Sequence, residues 1–168
     1  LINLYIIFFL ICFQGFIGWY MVKSGLVDRV DVSHFRLSVH LIIAFLIITL
    51  IQWNYLNLKE NYNISNKLSY NFTLIFLFLI FSQIIIGAFV SGMDAGQIYN
   101  SWPLMGSSYF PDDNNFSNIF KISAFSDPSL VQFMHRNLAY IIMFYYLFLI
   151  FKVYRSKLTN LYKAVNIV

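Results

Sequence analysis

Four stretches of this chain, about residues 1 to 22, 35 to 57, 70 to 92 and 129 to 151, are each long and apolar enough to cross a bilayer as a helix. A hydrocarbon core roughly 30 Å thick needs about 20 apolar residues in α-helical form. Within lipid, every backbone N–H and C=O must be satisfied by the segment itself, so an isolated apolar stretch of this length has helix as its form. The first three stretches carry no Asp, Glu, Lys or Arg across their centres, and the fourth admits only Arg136 near its start. The pattern predicts an all-α, polytopic transmembrane bundle of about four helices. Composition excludes the alternative of a soluble domain: 11% of the residues are charged and 60% are hydrophobic, whereas soluble domains carry roughly 25% charged residues.

The net charge of +4 comes without any Lys/Arg run or basic face, so nucleic acid is excluded as a partner and the charge is read as membrane orientation. The connection from Asn57 to Ser69 and the tail after Phe151 lie on one side of the membrane and carry Lys59, Lys67, Lys152, Arg155, Lys157 and Lys163. The other side carries Lys23, Arg29, Lys121 and, inside helix ends, Arg36 and Arg136. With those two arginines set aside as functional, the bias favours a cytoplasmic or matrix tail. The connections after the first and third stretches then face outward. Cys12 is the only cysteine and falls in the first apolar stretch, which excludes an intrachain disulfide and a cysteine-based metal cluster. The opening Leu1-Ile2-Asn3, without an initiator Met or a basic leader, reads as a piece of a longer gene product.

Asp127-Pro128 supplies an N-cap and a first-turn proline for the fourth helix, and Asp31 or Ser33 can cap the second. The connection from 93 to 128 is much the longest and is the place to look for a lid. A partial internal repeat also appears. Gln14-Gly15-Phe16-Ile17-Gly18 near the end of the first stretch matches Gln83-Ile84-Ile85-Ile86-Gly87 near the end of the third, each a Gln with a Gly four residues on. Ser24-Gly25 follows one and Gly92 with Gly96 the other, so the first two and last two helices read as related hairpins. Duplicated membrane halves often place a site at their interface.

His40 lies seven residues past Ser33 and His135 eight past Asp127, which places both roughly 10 to 12 Å inside the outer helix ends. Matching depth in one leaflet suits two imidazoles that bind iron, and helix bundles commonly hold haem in this way. The acidic partners that a proton relay needs are missing from the spans. Arg36 precedes His40 by one turn on the same face, nearer the aqueous edge, where a haem propionate would sit. Arg136 follows His135 directly and points about 100° away, with the same role for a neighbouring group. The residues leave a plainer reading open, in which both arginines snorkel to headgroups and both histidines bond across helices. Gln14 and Gln83 face the bundle, either bonding another helix or touching a bound cofactor. His34 reads as a solvated interfacial residue. Gly15, Gly18 and Gly87 read as sites of close helix approach.

Four motifs together resemble haem A synthase, the membrane enzyme family that converts haem O to haem A for cytochrome oxidase. They are Gln14 to Leu26; Arg36-Leu37-Ser38-Val39-His40-Leu41; Gly87 to Gly96 continuing through Asn100-Ser101-Trp102-Pro103-Leu104-Met105; and Gln132-Phe133-Met134-His135-Arg136. Their order and spacing are similar to the alphaproteobacterial and mitochondrial branch, and the likeness weakens only from about Gly106 to Ser126 and after Phe151. It implies a pseudo-duplicated bundle of eight helices of which this chain is the middle: residues 1–69 end the first four-helix half, and residues 70–168 begin the second, with the outward loop 93–128.

The resemblance further implies that His40 ligates iron in the first half, where haem O is the substrate, and His135 in the second, where haem b is a cofactor. Arg36, Arg136, Gln14 and Gln83 would line these sites. A methyl substituent of haem O would be oxidised to a formyl group. Implied partners are haem O, handed over by haem O synthase in one scheme, membrane lipid and, as an open option, a second copy of the chain. The implied location is a bacterial or mitochondrial inner membrane. Two rivals stand beside this reading: a cytochrome b-like electron carrier with one haem between His40 and His135, and a helical scaffold or transporter without metal.

Overall fold

Each apolar stretch folds into one helix. The computed structural model describes residues 2–25, 32–58 and 70–155, with α1 at Ile2–Gly25, α2 at His34–Leu58, α3 at Tyr70–Gly92 and α4 at Pro128–Arg155. At 1.5 Å per residue, helices of 24 and 28 residues are about 36 and 42 Å long, enough to span with some tilt. All four meet the length and hydropathy of a membrane span, and the protein is an integral membrane protein. Their bounds depart from the sequence expectation by a few residues, most at the end of α4. That last turn adds Lys152 and Arg155, cations that complement the helix C-terminus. Lys152 lies 4.9 Å above the Phe72 ring, its stem running along apolar surface.

Consecutive helices pack side by side: α1 on α2, α2 on α3, and α3 on α4. Lipid tails give apolar side chains no reason to leave them, so close packing and polar ties must hold such helices together. At the α2/α3 seam, a methyl group placed on Gly92 would lie 2.8 Å from His34 Cα, so only glycine permits this approach. Polar ties cross the other seams. Asn3 Nδ2 donates to Asn54 Oδ1 at 3.1 Å between α1 and α2, and the Tyr145 hydroxyl donates to the Phe72 carbonyl at 2.9 Å between α4 and α3.

The caps divide in kind. Asp127 caps α4 with its side chain, Oδ1 accepting the Leu130 N–H at 3.0 Å, as its position predicts. Ser33 caps α2 through its carbonyl, which accepts the Leu37 N–H at 3.0 Å. Asp31 lies outside the described residues.

The long connection is a packed cap over the ends of α3 and α4. Asp94 turns the chain out of α3 in the left-handed conformation (φ 49°), which Asp tolerates better than most residues. Short 3₁₀ turns follow at Ala95–Gln97, Phe116–Phe120 and Ile122–Ser126. Met105 of the connection is fully buried, as are Leu130 and Val131 in the first turn of α4. The Asp112 carboxylate gathers the Ser107 backbone N–H and both the Ser107 and Ser108 hydroxyls, and these donors, the backbone one foremost, hold it below the ordinary aspartate range.

Candidate functional site

His40 leans from α2 toward α1, and two residues of α1 make its seat. Gln14 Nε2 donates to the His40 backbone carbonyl at 3.0 Å. One turn on, a methyl placed on Gly18 would lie 3.2 Å from His40 Cε1 and 3.7 Å from Nδ1, so the missing side chain is the space the imidazole fills. His135 repeats this from α4 onto α3. Gln83 Nε2 donates to the His135 carbonyl at 3.2 Å, and a methyl on Gly87 would lie 3.2 Å from His135 Cε1 and 3.7 Å from Nδ1. Residues four apart share a helix face. The Gln and Gly of each repeat therefore act on one histidine, the Gln at its backbone and the Gly at its ring.

The two seats also share their unmet bonds. Nδ1 of each histidine and Oε1 of each glutamine are buried without a partner among the described residues. They differ in one contact. Gln83 Nε2 also lies 3.2 Å from His135 Nε2, whereas Gln14 makes no hydrogen bond to the His40 ring.

Gly18 and Gly87 lie at helix seams, as their reading as sites of close helix approach expects, and what each admits is the imidazole of the neighbouring helix. Nothing comes within 4 Å of a methyl placed on Gly15, and the close backbone approach falls to Gly92.

The seats lie in separate seams. Gly87 faces α4, while Phe89, about 200° further round α3, faces α2 and meets the Phe35 and His34 rings at 5.1 and 5.2 Å. The α2/α3 contact therefore stands between His40 and His135. His34 belongs to that contact, half-buried with Nε2 unpartnered, and is not the solvated residue expected from its place in the sequence.

Arg36 sits one turn outward of His40, donating through Nη1 to Ser24 Oγ at 2.6 Å, with its guanidinium 5.3 Å from the Tyr20 ring centroid. Arg136 is committed elsewhere. Nη1 donates to the Ser101 carbonyl at 2.9 Å and Nη2 to the Tyr99 carbonyl at 2.6 Å, binding the long loop to α4. Gln132, one turn earlier, completes the clamp: Nε2 donates to Tyr99 O at 2.9 Å and Gly96 O at 3.3 Å, and Oε1 accepts the Tyr99 N–H at 3.2 Å. Sequence reasoning gives Gln132 a place in the fourth motif but no role, although a polar residue one turn before an arginine on an apolar helix was the available signal.

No group of three His, Cys, Asp or Glu side chains that could hold a metal ion comes together among the described residues. A single imidazole held in an apolar seam, with the buried Oε1 of its glutamine left unpartnered beside it, instead fits a metal that brings most of its donors with it, as haem iron does. The donor chemistry and the glycine notches are consistent with haem at both seats.

Residues 2–168 match the COX15-CtaA family, described as cytochrome oxidase assembly protein. The chain is 48% identical over 153 residues to the heme A synthase of Pelagibacter ubique (strain HTCC1062), covering 91% of this chain and 46% of that protein. It is 42% identical over 164 residues to the heme A synthase of Rickettsia bellii (strain OSU 85-389), covering 95% and 48%. The heme A synthase of Flavobacterium johnsoniae (strain UW101) is 42% identical over 153 residues, covering 88% and 45%. The chain thus spans about half the length of the curated relatives it matches. No solved structure matches it significantly.

Proposed function

This chain belongs to the COX15-CtaA family of cytochrome oxidase assembly proteins, and from that premise we propose that it takes part in haem A synthesis, the oxidation of a methyl substituent of haem O to a formyl group. The observation that carries the proposal is the duplicated seat: two imidazoles, each fitted to a glycine notch and tied at the backbone by a glutamine, in two separate seams. In this reading residues 1–69 close one four-helix half and residues 70–168 open another. His40 is the protein ligand to haem O, and His135 the ligand to a resident haem b. The separation of the seats supports one iron for each histidine over one iron shared by both, and so weighs against the single-haem electron carrier.

When bound, haem supplies the redox-active iron and macrocycle that oxidation of an unactivated methyl requires, chemistry outside the range of acid–base side chains. The chain's own residues bind and orient. Gln14 and Gln83 fix the height of each histidine, and Gly18 and Gly87 fix the ring. Arg36, one turn toward water and already steadied by Ser24 and Tyr20, is placed to take a haem carboxylate at the membrane edge. Arg136 holds the loop to α4 one residue after His135, and would be the cation available to a haem carboxylate on that side. The apolar walls of α1 to α4 keep water from the reacting ring. The location proposed is a bacterial or mitochondrial inner membrane, with haem O received from the enzyme that makes it.

Pigment extraction tests the proposal. Cells that make haem O and express the full-length gene product should yield haem A, and His40→Ala should abolish it while haem O persists. Haem O left unconverted by the native protein, or undiminished haem A from His40→Ala, would overturn the assignment.

A further inference from the structure

The one contact that distinguishes the seats concerns the ring of His135. Gln83 Nε2 can only donate, and it lies 3.2 Å from His135 Nε2 while also donating to the His135 carbonyl at 3.2 Å. An amide has two N–H groups, so both bonds form at once. The ring nitrogen that accepts must be unprotonated, which leaves the imidazole proton on Nδ1. Nδ1 is buried beside Gly87 without a partner, so no hydrogen bond there competes with the one at Nε2. With the proton on Nε2 instead, two N–H groups would point at each other. Gln83 is thus the hydrogen-bond partner that sets the preference.

We infer that Gln83 is a positioning residue that fixes the tautomer of His135, keeping the Nε2 lone pair free of a proton and occupied by an amide N–H until iron takes it. His40 has no such guard: Gln14 stops at its backbone carbonyl. The two seats are thus alike in placing a histidine and unlike in preparing its ring. This inference rests on the haem reading for the identity of the metal, though not for the tautomer. A guarded lone pair fits a seat that is loaded once, and an unguarded one fits a seat whose occupant comes and goes as substrate and product.

Nitrogen NMR of the full-length protein, produced without haem and labelled with ¹⁵N-histidine, reads the tautomer directly. His135→Ala identifies the His135 signals by their loss. In the native protein His135 should show a protonated Nδ1 and an unprotonated Nε2, with the Nδ1–H form in excess by about tenfold or more, the ratio that ~1.4 kcal/mol sets. Gln83→Met, of similar length and without the donor, should bring the two nitrogens toward a shared averaged position. Gln14→Met should leave both histidines' tautomers as they were.

A native His135 protonated on Nε2, or mixing both forms, would overturn the inference without any variant, so a Gln83→Met protein that failed to fold would not shelter it. An unchanged His135 pattern in folded Gln83→Met would overturn it equally. The haem reading fails by a different measurement: if the Soret band of haem-loaded protein is indifferent to His135→Ala, that reading falls while the tautomer result stands.

Discussion

A methyl group is the smallest change that tests whether the glycine notches serve the histidines. In Gly87→Ala it would meet His135 Cε1 at 3.2 Å, and the ring must move by a few tenths of an ångström. In Gly92→Ala it would meet the His34 backbone at 2.8 Å, and a helix must move instead. The two alanines should therefore fail differently. Gly87→Ala should keep its thermal midpoint near native but lose at least half of the haem bound at His135, since ligation demands placement within roughly half an ångström. Gly92→Ala should cost about 1–3 kcal/mol of stability, as overpacking does. Thermal unfolding and haem content, measured on both variants of the full-length protein, separate these outcomes; equal haem loss at equal stability would refute the notch. The depth of His40 and His135 was legible in the sequence because helix rise is constant. The partner of each glycine was not, because Gly18, Gly87 and Gly92 all look like small residues at a helix seam until the neighbouring helix is set against them.

At the scale of elements, the four helices were readable because lipid leaves the backbone one conformation, and hydropathy marks where lipid begins and ends. The connection after α3 was not. Its order comes from side chains of α4, 33 to 37 residues away, that bond its backbone carbonyls: Gln132 to Gly96 and Tyr99, and Arg136 to Tyr99 and Ser101. Such bonds follow no periodicity, so length alone suggested a lid where the structure has a fastened cap. Gln132 is 5% exposed, and replacing it removes the partner of the Tyr99 N–H and of the Gly96 carbonyl, while the Tyr99 carbonyl keeps Arg136. Gln132→Leu should release residues 93–127 at a cost of about 2–4 kcal/mol, three bonds of ordinary net strength with one donor left unmet. Limited proteolysis should then cut within 93–127 much faster than in the native protein, while helical circular dichroism is unchanged. Native cleavage rates in the variant would mean that Arg136 and the loop's other ties to α4, from Tyr140 to Trp102, Asn137 to Tyr109 and Ser129 to Asp113, hold it without Gln132.

The whole molecule is two hairpins laid edge to edge, and its functional content depends on whether they act as two sites or as one. α1 with α2 and α3 with α4 each carry a complete seat, and the surface between the hairpins is filled by Phe35, Phe89, His34 and Gly92. Ligands held in separate seams without shared contacts should respond independently, because mutational effects at distant sites with no common partner add. His40→Ala in the full-length protein should then remove only the haem of the first seat and leave the absorption of the second intact, and His135→Ala should do the reverse. The double variant should lose the sum. A single haem bridged by both histidines predicts another pattern, in which either substitution alone changes the same band. Haem-to-protein ratios and difference spectra of the three variants decide between them. The internal repeat visible in the sequence bears on the same point, since a Gln and a Gly copied twice at the same interval, each pair fitted to its own histidine, has a physical purpose only if two rings have to be held.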